Sequence, residues 1–323
     1  MLRSCLGWCV LSRKDFLQCW FESGDNFADD PSRHNPLRRS ETAPEHLKVL
    51  LQPACDEARR GKSARRLARI CSMEVLSGRG RLSAAWRWRG FTVARPMEAF
   101  PSKGVYASAS DLSAPGVLRS LTVQIKKGAF FYVHFAVPCS SWSCLQRING
   151  STRTKVCPKG DETFPDIKEG NDLAETVSHL CWLLSGVGSY WSIENPHTSL
   201  LWDYQPILGL LDVGLDVVFD QCMHGLIVTA LNLPPPQVRF VRKRTRVRTN
   251  MSSLKALECT CSHSDRAQSH LRCFGTVQSP SGWTSVAKSA GAYPHLLCQR
   301  WASLVPTRPP SALERPPEKL RCL

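Results

Sequence analysis

The sequence predicts an α/β fold: a doubly wound, mostly parallel sheet with irregular N- and C-terminal extensions. Three observations carry that expectation. Short apolar strands alternate with helical stretches between about residues 71 and 300, an order that favours a parallel sheet with helices on its faces. Gly128–Val137 (GAFFYVHFAV) is a nearly continuous apolar run of buried-strand length. Leu173, Val177, Leu180, Cys181 and Leu184 recur at helical spacing.

Taken in order, Met73–Leu76 reads as the first strand, followed by a glycine turn and a helix from about Arg81 to Arg89. Gly90 is placed to end that helix, and Phe91–Val93 begins the next strand. The long aromatic run follows, then a helix for which Asn171 is the expected cap. Tyr190–Ile193 and Val217–Phe219 are two further strands, and Leu231–Gln237 (LNLPPPQ) is a proline-rich turn. Residues 1–70 mix both charges with Pro31, Pro36, Pro44 and Pro53 and read as a weakly structured basic extension, with short basic helices between Glu45 and Ile70. Residues 301–323 read as a disordered proline-rich tail.

Composition narrows the classes. No apolar run is long enough to cross a membrane, and the N-terminus lacks the pattern of a signal peptide. Fifteen cysteines, an odd number scattered through 323 residues, suit a reducing intracellular setting better than a disulfide-stapled domain. Lys plus Arg is 42 against 27 Asp plus Glu, a net charge of +15 that suits a polyanionic partner. Arg239, Arg242, Lys243, Arg244, Arg246 and Arg248 crowd one short segment, which reads as a nucleic-acid contact and permits nuclear import.

In doubly wound sheets ligands sit beyond the carboxyl ends of the strands, so chemistry is sought there. After the first strand come Ser77, Gly78, Arg79 and Gly80, whose two glycines allow a tight turn and close approach of a ligand. The aromatic strand leads into Pro138-Cys139-Ser140-Ser141-Trp142-Ser143, which sets a cysteine on an exposed loop. The Tyr190–Ile193 strand leads into Glu194-Asn195-Pro196, a carboxylate at a strand end, where burial favours the protonated form of such a group.

In this order the motifs resemble those of the cytosine-C5 DNA methyltransferase family, in a divergent branch linked to mobile elements of protists. Glu74–Arg81 is similar to the family's glycine loop D/E-x-F-S-G-x-G-G, with Leu76 for phenylalanine and Arg81 for the last glycine. Pro138, Cys139, Trp142 and Ser143 match its catalytic P-C-x-x-F/W-S loop, and Glu194-Asn195 its E-N-V. Arg244 and Arg246 match the arginines of Q-x-R-x-R, and Gly291–Pro294 resembles G-N-A-V-P. The resemblance covers about residues 71–300 and implies an S-adenosyl-L-methionine fold. Leu76, Ser77, Gly78, Gly80 and Pro138 would line the cofactor, Glu98 would take its ribose hydroxyls and Asp111 its adenine amino group.

The resemblance also implies the chemistry. Cys139 would add to C6 of a flipped cytosine, Glu194 would stabilise the charge developing at N3, and Arg244 or Arg246 would hold the base carbonyl or a phosphate. Arg239, Arg242, Lys243 and Arg248 would hold the strand, DNA or alternatively RNA. Only about residues 250–290 remain for recognition, less than an independent reader of base edges. That shortfall and the altered glycine loop support the alternative, a non-enzymatic nucleic-acid-binding remnant. Cys259, Cys261, His263, His270 and Cys273 offer zinc ligands, but C-x-C-x-H-x6-H-x2-C fits no standard finger and reads as a polar loop, not a metal site.

Overall fold

The computed structural model describes residues 71–100, 105–144, 146, 150–230, 237–263, 270–279 and 282–306. Residues 1–70, the turn at 231–236 and the tail beyond 306 lie outside the described residues. The elements are β1 (Cys71–Val75), α1 (Arg81–Trp88), β2 (Thr92–Val93), α2 (Pro115–Lys126), β3 (Tyr132–Ala136), α3 (Pro165–Gly186) and β4 (Tyr190–Pro196). They continue with α4 (Gln205–Leu208), β5 (Leu215–Asp220), β6 (Ile227–Ala230), β7 (Gln237–Arg242), β8 (Arg244–Thr249) and β9 (His270–Arg272). β10 (Thr276–Ser279), β11 (Gly282–Ser285), α5 (Val286–Ser289) and α6 (His295–Leu304) complete them.

The main sheet has six strands in the order β2-β1-β3-β4-β8-β5. β2, β1, β3 and β4 pair in parallel, and β8 lies antiparallel between β4 and β5. The fold is therefore α/β as expected, but its sheet is mixed. β8 can take that place because β5 reaches it through the antiparallel β6–β7 pair rather than through a helical crossover.

Alternation along the strands sorts two layers. Met73, Val75, Val133, Phe135, Trp191 and Ile193 point into an apolar core with residues of α2, α3 and α4. The opposite face carries Ser72, Glu74, Tyr132, His134, Ser192 and Glu194, all buried. α1 and α6 cover that polar face: the rings of Trp86 and Tyr132 meet at 5.1 Å, and the Trp301 indole lies 5.0 Å from His134. Helices thus lie on both faces.

Local chemistry explains the element ends, and some expectations need correction. α2 and α3 each begin at a proline, where the missing N–H costs nothing. Asn171 therefore does not cap α3. It lies buried beyond the first turn and receives the Arg153 guanidinium. β4 runs on through Glu194-Asn195-Pro196, because β8 supplies hydrogen-bonding partners there. Residues 301–304, expected in the tail, form the last turn of α6, with Trp301 wholly buried.

A smaller apolar cluster gathers Leu226, Val228, Ala230, Val241, Val277, Val286 and Ala290. It belongs to a three-stranded sheet, β6-β7-β9, and the β10–β11 hairpin. Residues between 270 and 290 thus pack together with β6 and β7. Ser252–Leu257 contributes Leu254 and Leu257 as buried side chains.

Glu74 is almost fully buried, and its Oε2 accepts the Ser83 N–H of α1 at 2.8 Å. Burial pushes its carboxyl up to about 7, although the hydrogen bonds from Ser83 and the charge of Arg87 hold it down in part. A folded-state value above the unfolded one means that the native state binds the proton more tightly, so stability falls as pH rises between about 4.5 and about 7. Above that window the cost is on the order of 3 kcal/mol. Glu74→Gln is expected to gain stability over the wild type across this window. Urea melts of both at several pH values check it, and a pH-independent difference would show that Glu74 is not the titrating group.

Candidate active site

The chain order β1, β2, β3 against the spatial order β2-β1-β3 makes a switch point between β1 and β3, where ligands sit in open α/β sheets. The glycine loop leaves β1 on one side and the cysteine loop leaves β3 on the other.

The glycine loop opens at Leu76, with φ of 59°, a left-handed conformation that costs a branched-chain residue free energy and accompanies functional turns. Gly78 and Gly80 follow at φ 53° and 61°, and nothing within 4 Å would meet a Cβ on Gly78. The segment carrying Glu98 runs beside this loop, because Ser77 N–H bonds Met97 O and Met97 N–H bonds Glu74 O. Glu98 Oε2 accepts the Gly78 N–H at 2.7 Å and Oε1 the Phe100 N–H at 3.1 Å. Asp111 accepts from Tyr106 Oη and from Ser113, bonds that hold its carboxyl below the ordinary range. Phe100 and Tyr106 pair their rings at 5.1 Å, and both are exposed.

Across the switch point, Pro138 and Cys139 follow β3. The loop is locked to the next strand: Asn195 Nδ2 donates to Val137 O at 2.6 Å and Leu200 N–H to Trp142 O at 2.9 Å. Trp142 is buried under the Arg153 guanidinium, 3.5 Å from its ring centroid. That guanidinium also donates to Pro158 O, Lys159 O, Ile167 O and Asn171 Oδ1. Gly170 of α3 permits the close approach, since a Cβ there would meet Ser141 Oγ at 2.3 Å.

Cys139 is open to solvent, yet the surrounding protein atoms raise its thiol above the ordinary value. Lys243 pulls the thiol down and Glu194 pushes it up, both more weakly than burial raises it. Lys243 Nζ is 3.8 Å from Glu194 Oε1.

Behind Glu194 runs a buried chain of hydrogen bonds. Trp301 Nε1 donates to Tyr132 Oη at 2.9 Å, Tyr132 Oη lies 2.6 Å from Ser192 Oγ, and Ser192 Oγ lies 2.7 Å from His134 Nδ1. His134 Nε2 then lies 3.0 Å from Tyr293 Oη, which donates to Glu194 Oε2 at 3.0 Å. Burial lowers His134 to about 3, so the ring is neutral. An indole only donates, and Tyr293 gives its one proton to Glu194, so every direction is fixed: Tyr132 and Ser192 donate towards Nδ1 and Nε2–H donates to Tyr293. Glu194 Oε2 is thereby held as an acceptor. Its other oxygen, Oε1, is buried and accepts no hydrogen bond among the described residues.

The basic segment divides between roles. Arg244, Arg246 and Arg248 of β8 share the sheet face opposite Glu194, since Arg246 stands against Asn195 in the register. Arg246 contacts Asp216 and His197 at 3.4 Å, and Arg244 is exposed. Neither is brought against Glu194. Arg248, expected on nucleic acid, is buried, with bonds to Asp216 at 2.7 and 2.8 Å and to Ile207 O at 2.8 Å. It is an internal anchor and not a surface cation. Lys243, expected on the strand, faces the cysteine site instead. Arg239 is half-buried, while Arg242 is exposed beside Arg272 in the β7–β9 register.

No protein-family model matches the chain, and no curated protein matches it.

Site-resolved alkylation of Cys139 by iodoacetamide is expected to rise with pH through a midpoint above that of an ordinary thiol. Lys243→Met is expected to move the midpoint higher and Glu194→Gln lower, because each removes the opposing charge. Mass spectrometry separates Cys139 from the exposed Cys144 and Cys157. A midpoint that falls in Lys243→Met would place the lysine away from the sulfur.

Proposed function

We propose that the chain is an S-adenosyl-L-methionine-dependent methyltransferase acting on cytosine C5 in DNA. The observation that carries this reading is the register that sets Glu194, with Lys243 Nζ 3.8 Å from it, beside the end of β3 from which the Cys139 loop leaves, next to a switch point whose other side is a glycine loop with Glu98. The parallel strands β2, β1, β3 and β4 of the α/β sheet, from which both loops leave, support it. The resemblance of the two loops adds to it.

The cofactor fits the first loop in kind. Leu76, Ser77, Gly78, Gly80 and Pro138 would surround it, with the carboxylates of Glu98 and Asp111 suited to hydroxyl and amino groups and exposed Phe100 and Tyr106 to a purine face. When bound, it supplies an electrophilic methyl group. On the other side Cys139 Sγ bonds to C6 of the base, the ring electrons shift towards C5, and N3 takes up a proton. Glu194 Oε1 is the atom free to hold that proton, because Tyr293 keeps Oε2 as an acceptor. Lys243 favours the thiolate before addition. Once C5 carries the methyl group, its proton would pass to water, the C6–S bond would break to release the Cys139 thiolate, and N3 would return its proton to Glu194, restoring the ring.

A flipped base needs the strand held. Arg242 and Arg272 stand opposite each other on β7 and β9, so this pair of strands would set two cations against the DNA strand's phosphates. Exposed Phe274 and Trp283 nearby in sequence offer faces for stacking. The nuclear setting belongs to this same reading.

One observation favours the second reading, a remnant that binds nucleic acid without catalysis. Both Glu98 oxygens already accept backbone N–H groups.

Calorimetric titration with S-adenosylmethionine separates the two. Saturable binding is expected, weakened about tenfold or more in Glu98→Ala, as loss of a charged hydrogen bond implies. No binding by the folded protein would leave the remnant. DNA carrying 5-fluorocytosine is expected to trap the wild type covalently and not Cys139→Ser. Transfer by Cys139→Ser at the wild-type rate would end the covalent mechanism.

A further inference from the structure

We infer that Cys222, Cys261, His263 and His270 form a structural zinc site. One ligand atom from each lies within 4.8 Å of all the others. Only three of them belong to the cysteine–histidine segment that the sequence offers. The fourth comes from the turn Gln221–His224 after β5. Of the two cysteines left over, Cys259 Sγ lies 3.4 Å from His224 Nε2, and burial raises the thiol of Cys273, which Lys243 offsets only in part.

The distances suit a metal. Cys261 Sγ is 3.3 Å from His263 Nδ1 and 3.5 Å from His270 Nε2. With Zn–S ~2.3 Å and Zn–N ~2.0–2.1 Å, a tetrahedron has sulfur–nitrogen edges of about 3.5 Å. Hydrogen bonding alone accounts for this cluster poorly. A thiol has one proton, yet two imidazole nitrogens lie within 3.5 Å of the Cys261 sulfur and the Cys222 thiol within 4.8 Å. A thiolate pair with two neutral imidazoles gives Zn²⁺ its full complement of four protein ligands, the pattern of a structural centre.

The surroundings support the ligands. Asp220 Oδ2 accepts the Cys261 N–H at 2.8 Å, and the Phe240 ring stacks on His263 at 4.3 Å. The ion would tie the end of β5 to β9, joining the main sheet to the three-stranded sheet. Among the described residues that sheet's apolar cluster has seven buried side chains, a size at which small modules rely on a metal or a disulfide. The inference does not depend on the methyltransferase reading.

The test is the metal content of the full-length chain, purified without a polyhistidine tag. Plasma mass spectrometry is expected to find one zinc per chain. Zinc should fall about tenfold or more in Cys222→Ser and His270→Ala, since each removes a ligand. It should stay unchanged in Cys259→Ser and Cys273→Ser, and Cys222→His should restore it. Should the ligand variants not fold, cobalt exchange into the wild type decides. Tetrahedral d–d bands with thiolate charge transfer are expected, and a spectrum without them overturns the site. A metal-free folded wild type, a Cys222–Cys261 disulfide, or loss of zinc in Cys259→Ser or Cys273→Ser would each overturn it as well.

Discussion

The buried hydrogen-bond chain from Trp301 to Glu194 is the constraint on which the rest of the molecule depends. It places polar groups of β3 and β4 under α1 and α6, where an unpaired hydroxyl or imidazole would cost about 1–3 kcal/mol each. Only a matched donor order makes that face habitable. Trp301 supplies a terminal donor and Glu194 a terminal acceptor, and every group between them has one proton to give and one to receive. The covering helix is therefore specified by chemistry as well as by shape.

The other face of the sheet follows a different logic. There the aromatic and aliphatic side chains of β1, β3 and β4 meet α2, α3 and α4. Arg153 and Arg248 are both buried, each clamped by several oxygens. Arg153 stiffens the loop after β3 through Trp142, while Arg248 ties β8 to β5 and α4. Two arginines from a basic protein thus serve as internal fasteners, and the cysteine loop inherits its rigidity from one of them.

Much of this was legible in the sequence. Apolar periodicity located β1, β3, α3 and β5 to within a few residues, and the glycine and cysteine loops stood at strand ends. The antiparallel β8 was not legible, because alternating arginines and threonines read as a charge run and carry no signal of strand direction. The same blindness misassigned Arg248 and Lys243: composition gives charge, whereas the strand register decides which charge turns inward. His134 and Ser192 escaped notice for a related reason. Polar residues at alternate positions of YVHFA and YWSIENP marked a buried polar face, but an overall apolar run concealed that alternation. Cys222 was missed because its partners lie far along the chain.

The distance in sequence between the two halves of the cysteine site orders its assembly during synthesis. Cys139 leaves the ribosome about 150 residues before Tyr293, and Trp301 later still. At ~5–20 residues per second the delay is ~8–30 s. Through that interval Glu194 has no tyrosine to fix it, and the polar face of the sheet stays open to water. The nascent chain therefore presents the Cys139 loop long before Tyr293 fixes Glu194, and α6 is the element that finally closes the polar face.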